Sequence, residues 1–262
     1  MEYRILGKTG LKISRMGFGG IPIQRIDAEG TKALMHKLLE NGVNYIDTAR
    51  GYTVSEEYLG IGLEGIREHF VLATKSMSRT AEAMAKDIDI SLKNLRTDYI
   101  DLYQIHNAPP ADVEKVCSPG GALEALTAAK KAGKIGHIGI TAHSLETFRM
   151  ALELPWVETI MFPYNIVEDQ AKELIHACAE KNIGFIAMKP LAGGAIEDAV
   201  TALRYVCANP DVTVVIPGMA DIAELNQNLA AVNDSSPLSV EEEAKMRAIR
   251  DALGTQFCRR CN

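Results

Sequence analysis

Short apolar runs alternate with longer amphipathic stretches along most of this chain. The runs are MGFGG (16–20), NYIDTA (44–49), FVLATK (70–75), YIDLYQIH (99–106), HIGITA (137–142), TIMFPYN (159–165), GFIAMKP (184–190) and VTVVIPG (212–218). They are rich in β-branched and aromatic residues, which predicts strands buried on both faces. Between them, GTKALMHKLLENG (30–42) sets Leu34, Leu38 and Leu39 on one helical face, with Gly42 as a C-cap candidate. AEAMAKDIDISLKNL (81–95), GALEALTAAKKAGK (121–134), QAKELIHACAEKN (170–182) and IEDAVTALRYVCAN (196–209) repeat that pattern.

Eight strand–helix units predict an α/β fold, a (β/α)8 TIM barrel. An open doubly wound sheet is the competing arrangement, but no composition break or linker divides the chain. YRILGKTGLKISR (3–15), with Thr9-Gly10 at its turn, predicts an N-terminal β-hairpin. A turn over residues 234–239, with Ser235, Ser236 and Pro237 in succession, ends the last barrel helix. An extra C-terminal helix follows over 240–254, with Ser239 and Glu242 placed as a capping box.

Composition narrows the function classes. The 262 residues are 47% hydrophobic and 24% charged, with a net charge of −6. There is no basic footprint for nucleic acid, no apolar run long enough to span a membrane, and no apolar leader at MEYRILGKTG. Five scattered cysteines, an odd number, point to a reducing cytoplasmic location. Cys178 and Cys207 sit among apolar helical neighbours and read as small buried side chains.

In such barrels chemistry gathers at the C-terminal ends of the strands. Asp47 and Tyr52 follow the second run, Lys75 closes the third and His106 closes the fourth. Each alone has a plain structural use: a rim ion pair, a satisfied histidine, a loop aromatic. Together they suit carbonyl reduction. Tyr52 is a weak proton donor, and a lysine ammonium beside it favours the phenolate. Asp47 holds that ammonium, and His106 orients the carbonyl oxygen.

Across its length the chain resembles the aldo-keto reductase family. The resemblance rests on YRILGKTGLKISRMGFGG, GVNYIDTARGYTVSEEYLG, VLATK, YIDLYQIHN, HIGITAHS, FPYN, KPLAGG and VVIPGMADIAELNQNL. It implies a barrel that binds NADP(H) or NAD(H) without a Rossmann domain, and a catalytic tetrad of Asp47, Tyr52, Lys75 and His106. Tyr52 is then the general acid or base for interconverting an aldehyde or ketone and its alcohol. The residues implied to hold the cofactor begin with Gly20, Ile21 and Asp47 at the nicotinamide side. Thr141 and His143 stand where the family usually shows serine and asparagine, and Met161 stands where it usually shows glutamine. Lys189, Pro190, Leu191, Gly193 and Gly194 would wrap the pyrophosphate. Pro217, Gly218, Met219, Glu224, Gln227 and Asn228 would line the adenosine end. Family members that prefer NADP carry cations at the positions of Gly218 and Glu224. This chain therefore predicts weakened discrimination for NADP and use of NAD.

Two other functions fit parts of the sequence. One is a non-catalytic NAD(P)-binding regulatory or sensor subunit. The other is an iron–sulfur electron-transfer protein with the barrel as scaffold, suggested by the ending FCRRCN. Cys258 and Cys261 resemble the opening of a ferredoxin-like [4Fe-4S] extension found in one branch of the family. Two thiolates fall short of the four a cluster takes. The expected organisation is a reductase barrel over residues 1–254 and the truncated start of a Cys-rich extension over 255–262. A small carbonyl or alcohol substrate is the expected partner. An electron-transfer partner is expected only if the extension continues.

Overall fold

The computed structural model describes residues 1–254; Cys258 and Cys261 lie outside them. A two-stranded antiparallel hairpin, β1 (Tyr3–Ile5) and β2 (Lys12–Ser14), opens the chain. Gly10, at φ 72°, turns it with a backbone that favours glycine. Eight parallel strands follow in chain order: β3 (Phe18–Gly19), β4 (Tyr45–Asp47), β5 (Val71–Ser76), β6 (Ile100–Ile105), β7 (Ile135–Thr141), β8 (Thr159–Pro163), β9 (Gly184–Met188) and β10 (Val214–Val215). Each pairs with its sequence neighbour. Parallel bridges from Met16 to Val215 and from Gly19 to Gly218 join the first strand to the last and close the barrel.

The helices are α1 (Ala28–Glu40), α2 (Ser55–Gly62), α3 (Ala81–Asn94), α4 (Pro110–Cys117), α5 (Ala122–Lys131), α6 (Leu145–Glu153), α7 (Lys172–Glu180), α8 (Ala199–Ala208), α9 (Ile222–Asn233) and α10 (Val240–Leu253). Most begin on a side-chain cap: Asp27, Thr80, Ser144, Asp198, Asp221 and Ser239 each accept from a first-turn N–H. The capping box of Ser239 and Glu242 is formed as the sequence predicts.

Two apolar layers hold the barrel. Its interior is filled by Tyr45, Ala73, Leu102, Met161, Ile186, Val214 and Ile216, with Leu6 and Ile13 of the hairpin packed against them. Lys8 N donates to the carbonyl of Asn182, just before β9, and Ser14 N donates to Asn44 Oδ1, just before β4. The hairpin thus stoppers the N-terminal end and leaves the C-terminal mouth open. A larger cluster fills the space between strands and helices. Helix α10 packs Met246 on Ile166, Ala192, Ile196 and Ala202, beside the connections that leave β8 and β9. Arg204 of α8 anchors its start, donating to Glu242 Oε1 at 2.9 Å and to the carbonyls of Asp234 and Ser236.

Candidate active site

Side chains alternate across a strand, so every second residue faces the barrel axis. Tyr45, Ala73 and Leu102 belong to the interior cluster. Two positions further on, Asp47, Lys75 and Gln104 therefore also face inward, at the mouth. Register agrees: Asp47 is opposite Ala73, and Lys75 is opposite Gln104. His106 follows β6 by one residue, on the same inward parity. Tyr52 reaches the group from the turn between β4 and α2, where Tyr52 N bonds Ala49 O and Ser55 N bonds Tyr52 O.

These side chains touch. Lys75 Nζ donates to Asp47 Oδ2 and, at 2.8 Å, to the carbonyl oxygen of Thr48. Gln104 Nε2 donates to the other Asp47 oxygen at 3.2 Å. Both members of the ion pair are buried, at 2% and 1% exposure. Lys75 Nζ lies 4.8 Å from the centre of the Tyr52 ring. That ring meets His106 edge to face, with centroids 5.9 Å apart. His106 Nδ1 is buried without a hydrogen-bond partner. A bare Nδ1 costs less than an orphaned N–H there, so the proton belongs on Nε2.

Burial sets the ionisation of the group. It raises the Asp47 carboxyl, with Lys75 and Gln104 pulling the other way. It would lower Lys75, but Asp47 and then Tyr52 outweigh it and hold the ammonium above its ordinary value. The Tyr52 phenol is raised by burial, against Lys75 and with Asp47. This corrects the lowering expected from an adjacent ammonium alone. Desolvation is the larger effect, and Asp47 offsets part of the lysine's field. Burial, followed by the charges on Lys75, His143 and Arg79, pushes His106 down to about 3, so its ring is neutral at physiological pH.

Three of these contacts have no local signature in the sequence: Gln104 on Asp47, the Thr48 carbonyl on Lys75, and a buried carboxylate behind them. Glu56 of α2, 1% exposed, accepts from Thr74 and Ser91 through Oε1 and from Arg50 and Asn94 through Oε2. It ties α2 to β5 and α3, directly after the Tyr52 turn.

The residues expected around a cofactor lie at or beyond the ends of β3, β4, β7, β9 and β10, apart from Met161 within β8 and Glu224, Gln227 and Asn228 on α9. Gly20 N bonds Asp47 O, and a Cβ on Gly20 would meet that oxygen at 2.8 Å. Ile21 beside it is exposed. Thr141 is buried and accepts from Asn107 N at 2.8 Å, so its hydroxyl supports the turn after His106. The His143 residue is exposed as a whole, yet desolvation of its ring and then Lys189 bring its pKa down to about 4. Met161 is 1% exposed and packs inside the barrel as an apolar plug. After β9 the chain takes a left-handed backbone at Lys189, Ala192, Gly193 and Gly194. The turn bonds most of its own N–H groups, Ala192 N to Lys189 O and both Gly194 N and Ile196 N to Leu191 O, around buried Pro190 and half-buried Leu191. Pro217 and Met219 are buried, whereas Gly218, Glu224 and Gln227 are exposed. Asn228 is 4% exposed, and no described residue hydrogen-bonds its amide. At the start of α9, Asp221 caps Glu224 N at 2.8 Å, and Glu224 Oε2 accepts from Ala220 N at 2.7 Å.

Residues 15–201 match the aldo/keto reductase family. The chain belongs to that family. The reductase is 28% identical to L-galactose dehydrogenase of Arabidopsis thaliana over 93% of this chain and 92% of that protein. It is 33% identical to the aldo-keto reductase YhdN of Bacillus subtilis over 70% of this chain and 59% of that protein. The holo form of aldo-keto reductase AKR11C1 from Bacillus halodurans superposes with a TM-score of 0.82 at 26% identity, covering 95% and 96% of the two chains. By family and fold the reductase is an NAD(P)-dependent oxidoreductase. These relatives lend no support to a ferredoxin-like extension or an electron-transfer partner. Among the described residues no cluster of His, Cys, Asp or Glu is arranged for a metal ion, and no helix is long and apolar enough to cross a membrane.

Proposed function

We propose that this reductase interconverts an aldehyde or ketone and its alcohol at the barrel mouth, with Tyr52 as general acid in reduction and general base in oxidation. One observation carries the reading: the buried Lys75 ammonium is fixed by Asp47 and Thr48 and lies 4.8 Å from the Tyr52 ring. A protonated, desolvated phenol is thereby placed beside a cation that stabilises it once it ionises.

The residues present fit a nicotinamide dinucleotide. Asn228, 4% exposed, keeps an amide that no described residue hydrogen-bonds, and the glycines of the left-handed turn at 192–194 let a pyrophosphate approach its backbone. When bound, the nicotinamide supplies or accepts the hydride. The chain's own part is the proton and the carbonyl. His106 Nε2–H donates a hydrogen bond to the substrate oxygen and orients it. Tyr52 Oη then gives that oxygen its proton, and the phenolate left behind is stabilised by Lys75. In the oxidative direction the phenolate takes the alcohol proton. Gln104 keeps Asp47 aimed at Lys75. A complete, mutually bonded set of this kind favours turnover over a purely regulatory binding role.

The adenosine end favours NAD use. Two carboxylates, Asp221 and Glu224, occupy the start of α9, where a 2′-phosphate would otherwise be attracted.

Turnover of an aldehyde panel with NADH and NADPH tests the main reading. Tyr52→Phe should lower kcat by about 10²–10⁴-fold while cofactor binding, followed by fluorescence, persists. Wild-type turnover by that variant would overturn it.

A further inference from the structure

The segment that delivers His106 is held by a residue outside the tetrad. His106 directly follows β6 and is itself followed by Asn107 at φ 47°, a left-handed conformation that side chains other than glycine adopt at a cost. Such a turn persists only where its surroundings over-determine it. Here they do. Asn107 N donates to Thr141 Oγ1, and Thr147 Oγ1 donates to Ala108 O at 2.9 Å. On the opposite side, Arg79 reaches across from the connection between β5 and α3. Its Nη2 donates to His106 O at 2.8 Å and to Asn107 O at 3.1 Å. Its Nε donates to Asp112 Oδ2 of α4 at 2.8 Å. The side chain is only 10% exposed.

We propose that Arg79 is a positioning residue for His106, fixing the direction of the imidazole by clamping the carbonyls on both sides of the strained turn. The guanidinium is suited to this because its planar fork meets two carbonyls and a carboxylate at once, which a lysine ammonium cannot do with the same geometry. Asp112 sets the plane of the fork. Arg79 touches neither substrate nor cofactor in this reading. It acts through the histidine, and so the inference rests on His106 orienting the substrate.

A misplacement of about 1 Å at a reacting centre costs on the order of 10²-fold in rate. Arg79→Gln should therefore lower kcat by about 10- to 100-fold and leave the cofactor dissociation constant unchanged. Arg79→Lys, which keeps the charge and one donor, should recover part of the loss. Asp112→Asn should give a smaller loss in the same direction.

The deciding measurement is a double-mutant cycle with His106→Gln. If Arg79 works through the imidazole, the double variant is no slower than His106→Gln alone. A full multiplicative loss in the His106→Gln background would overturn the proposal, because it would mark a general structural role. So would wild-type kcat in Arg79→Gln. Should Arg79→Gln fail to fold, the same cycle with Arg79→Lys gives the same decision. Tyr52→Phe is assayed alongside. Retained turnover in that variant defeats the catalytic reading itself, whereas loss of turnover there with a normal Arg79→Gln defeats only the clamp.

Discussion

Lys75 and Asp47 form a buried ion pair that faces the inside of a barrel otherwise filled by apolar side chains. Desolvating two charges is expensive, and the cost is offset only when every hydrogen-bonding position is used. Here Thr48 O accepts a second hydrogen bond from the ammonium and Gln104 Nε2 donates to the second carboxylate oxygen, although Gln104 Oε1 is itself buried without a partner. An apolar pair of similar volume would be at least as stable, so the proposed function assigns the pair its use at Tyr52 and not in stability.

Removing one partner exposes that trade. Lys75→Met should cost about 3–5 kcal/mol of unfolding free energy at neutral pH, because Asp47 is left charged and buried. Burial already raises the Asp47 pKa in the folded state, and without Lys75 only the Gln104 hydrogen bond opposes it. A carboxyl whose folded pKa lies above its unfolded value stabilises when protonated, and that stability is lost as pH rises through the folded pKa. The deficit of Lys75→Met should therefore shrink as pH falls, and Asp47→Asn added to it should recover most of the loss at neutral pH. Urea titrations of the three proteins would show this. A double variant no more stable than Lys75→Met would contradict it.

His106 gives the opposite pH dependence. Its folded value of about 3 lies below the unfolded value, so below about pH 6.5 the unfolded chain binds a proton that the folded chain refuses. Stability contributed by the neutral ring is complete above that unfolded value and declines as pH falls toward 3. His106→Gln removes the group, so the gap between wild type and variant should narrow steadily from pH 7 to pH 4. Activity should show no acid limb from His106 near neutrality. Denaturation midpoints across that range check the first point, and rate–pH profiles check the second. A gap independent of pH would show that the ring is solvated.

Much of the barrel is legible because parallel strands are buried on both faces and read as unbroken apolar runs. All eight predicted strands are present, and β7 begins two residues earlier than its run, at Ile135. Three helices carry no such signal. The first turn of α2 contains buried Ser55 and Glu56, whose burial depends on Thr48, Gly20, Thr74 and Ser91 elsewhere in the chain. Pro109-Pro110 and the ending SPGG make α4 read as a loop, although proline at a helix start is compatible with its geometry. Helix α6, Leu145–Glu153, follows the strand before it so closely that it reads as part of that loop. The convergence of Asp47, Tyr52, Lys75 and His106 is legible through spacing and strand ends. Gln104, Glu56 and Arg79 are not, since each acts on residues brought near only by closure of the barrel.

Glu224 bears on the choice of cofactor. Its carboxylate closes back on Ala220 N at the start of α9, with Asp221 capping the same turn. The start of a helix attracts anions through its unpaired N–H groups and dipole. In this reductase that attraction is already satisfied by two side-chain carboxylates. A 2′-phosphate arriving there would meet like charge and find the amide of Ala220 taken, whereas a free ribose hydroxyl could donate to the carboxylate. NADH should therefore serve well, and the preference for NADPH, if any, should stay below about 100-fold, or 2.7 kcal/mol. Glu224→Arg should raise kcat/KM for NADPH relative to NADH by at least about 10-fold, or 1.4 kcal/mol, and make NADPH binding more sensitive to salt. Glu224→Gln should shift the ratio in the same direction by less. Steady-state kinetics with both cofactors at two ionic strengths would decide the matter. A wild-type preference for NADPH well above 100-fold, or a ratio unmoved by Glu224→Arg, would place the phosphate away from this helix.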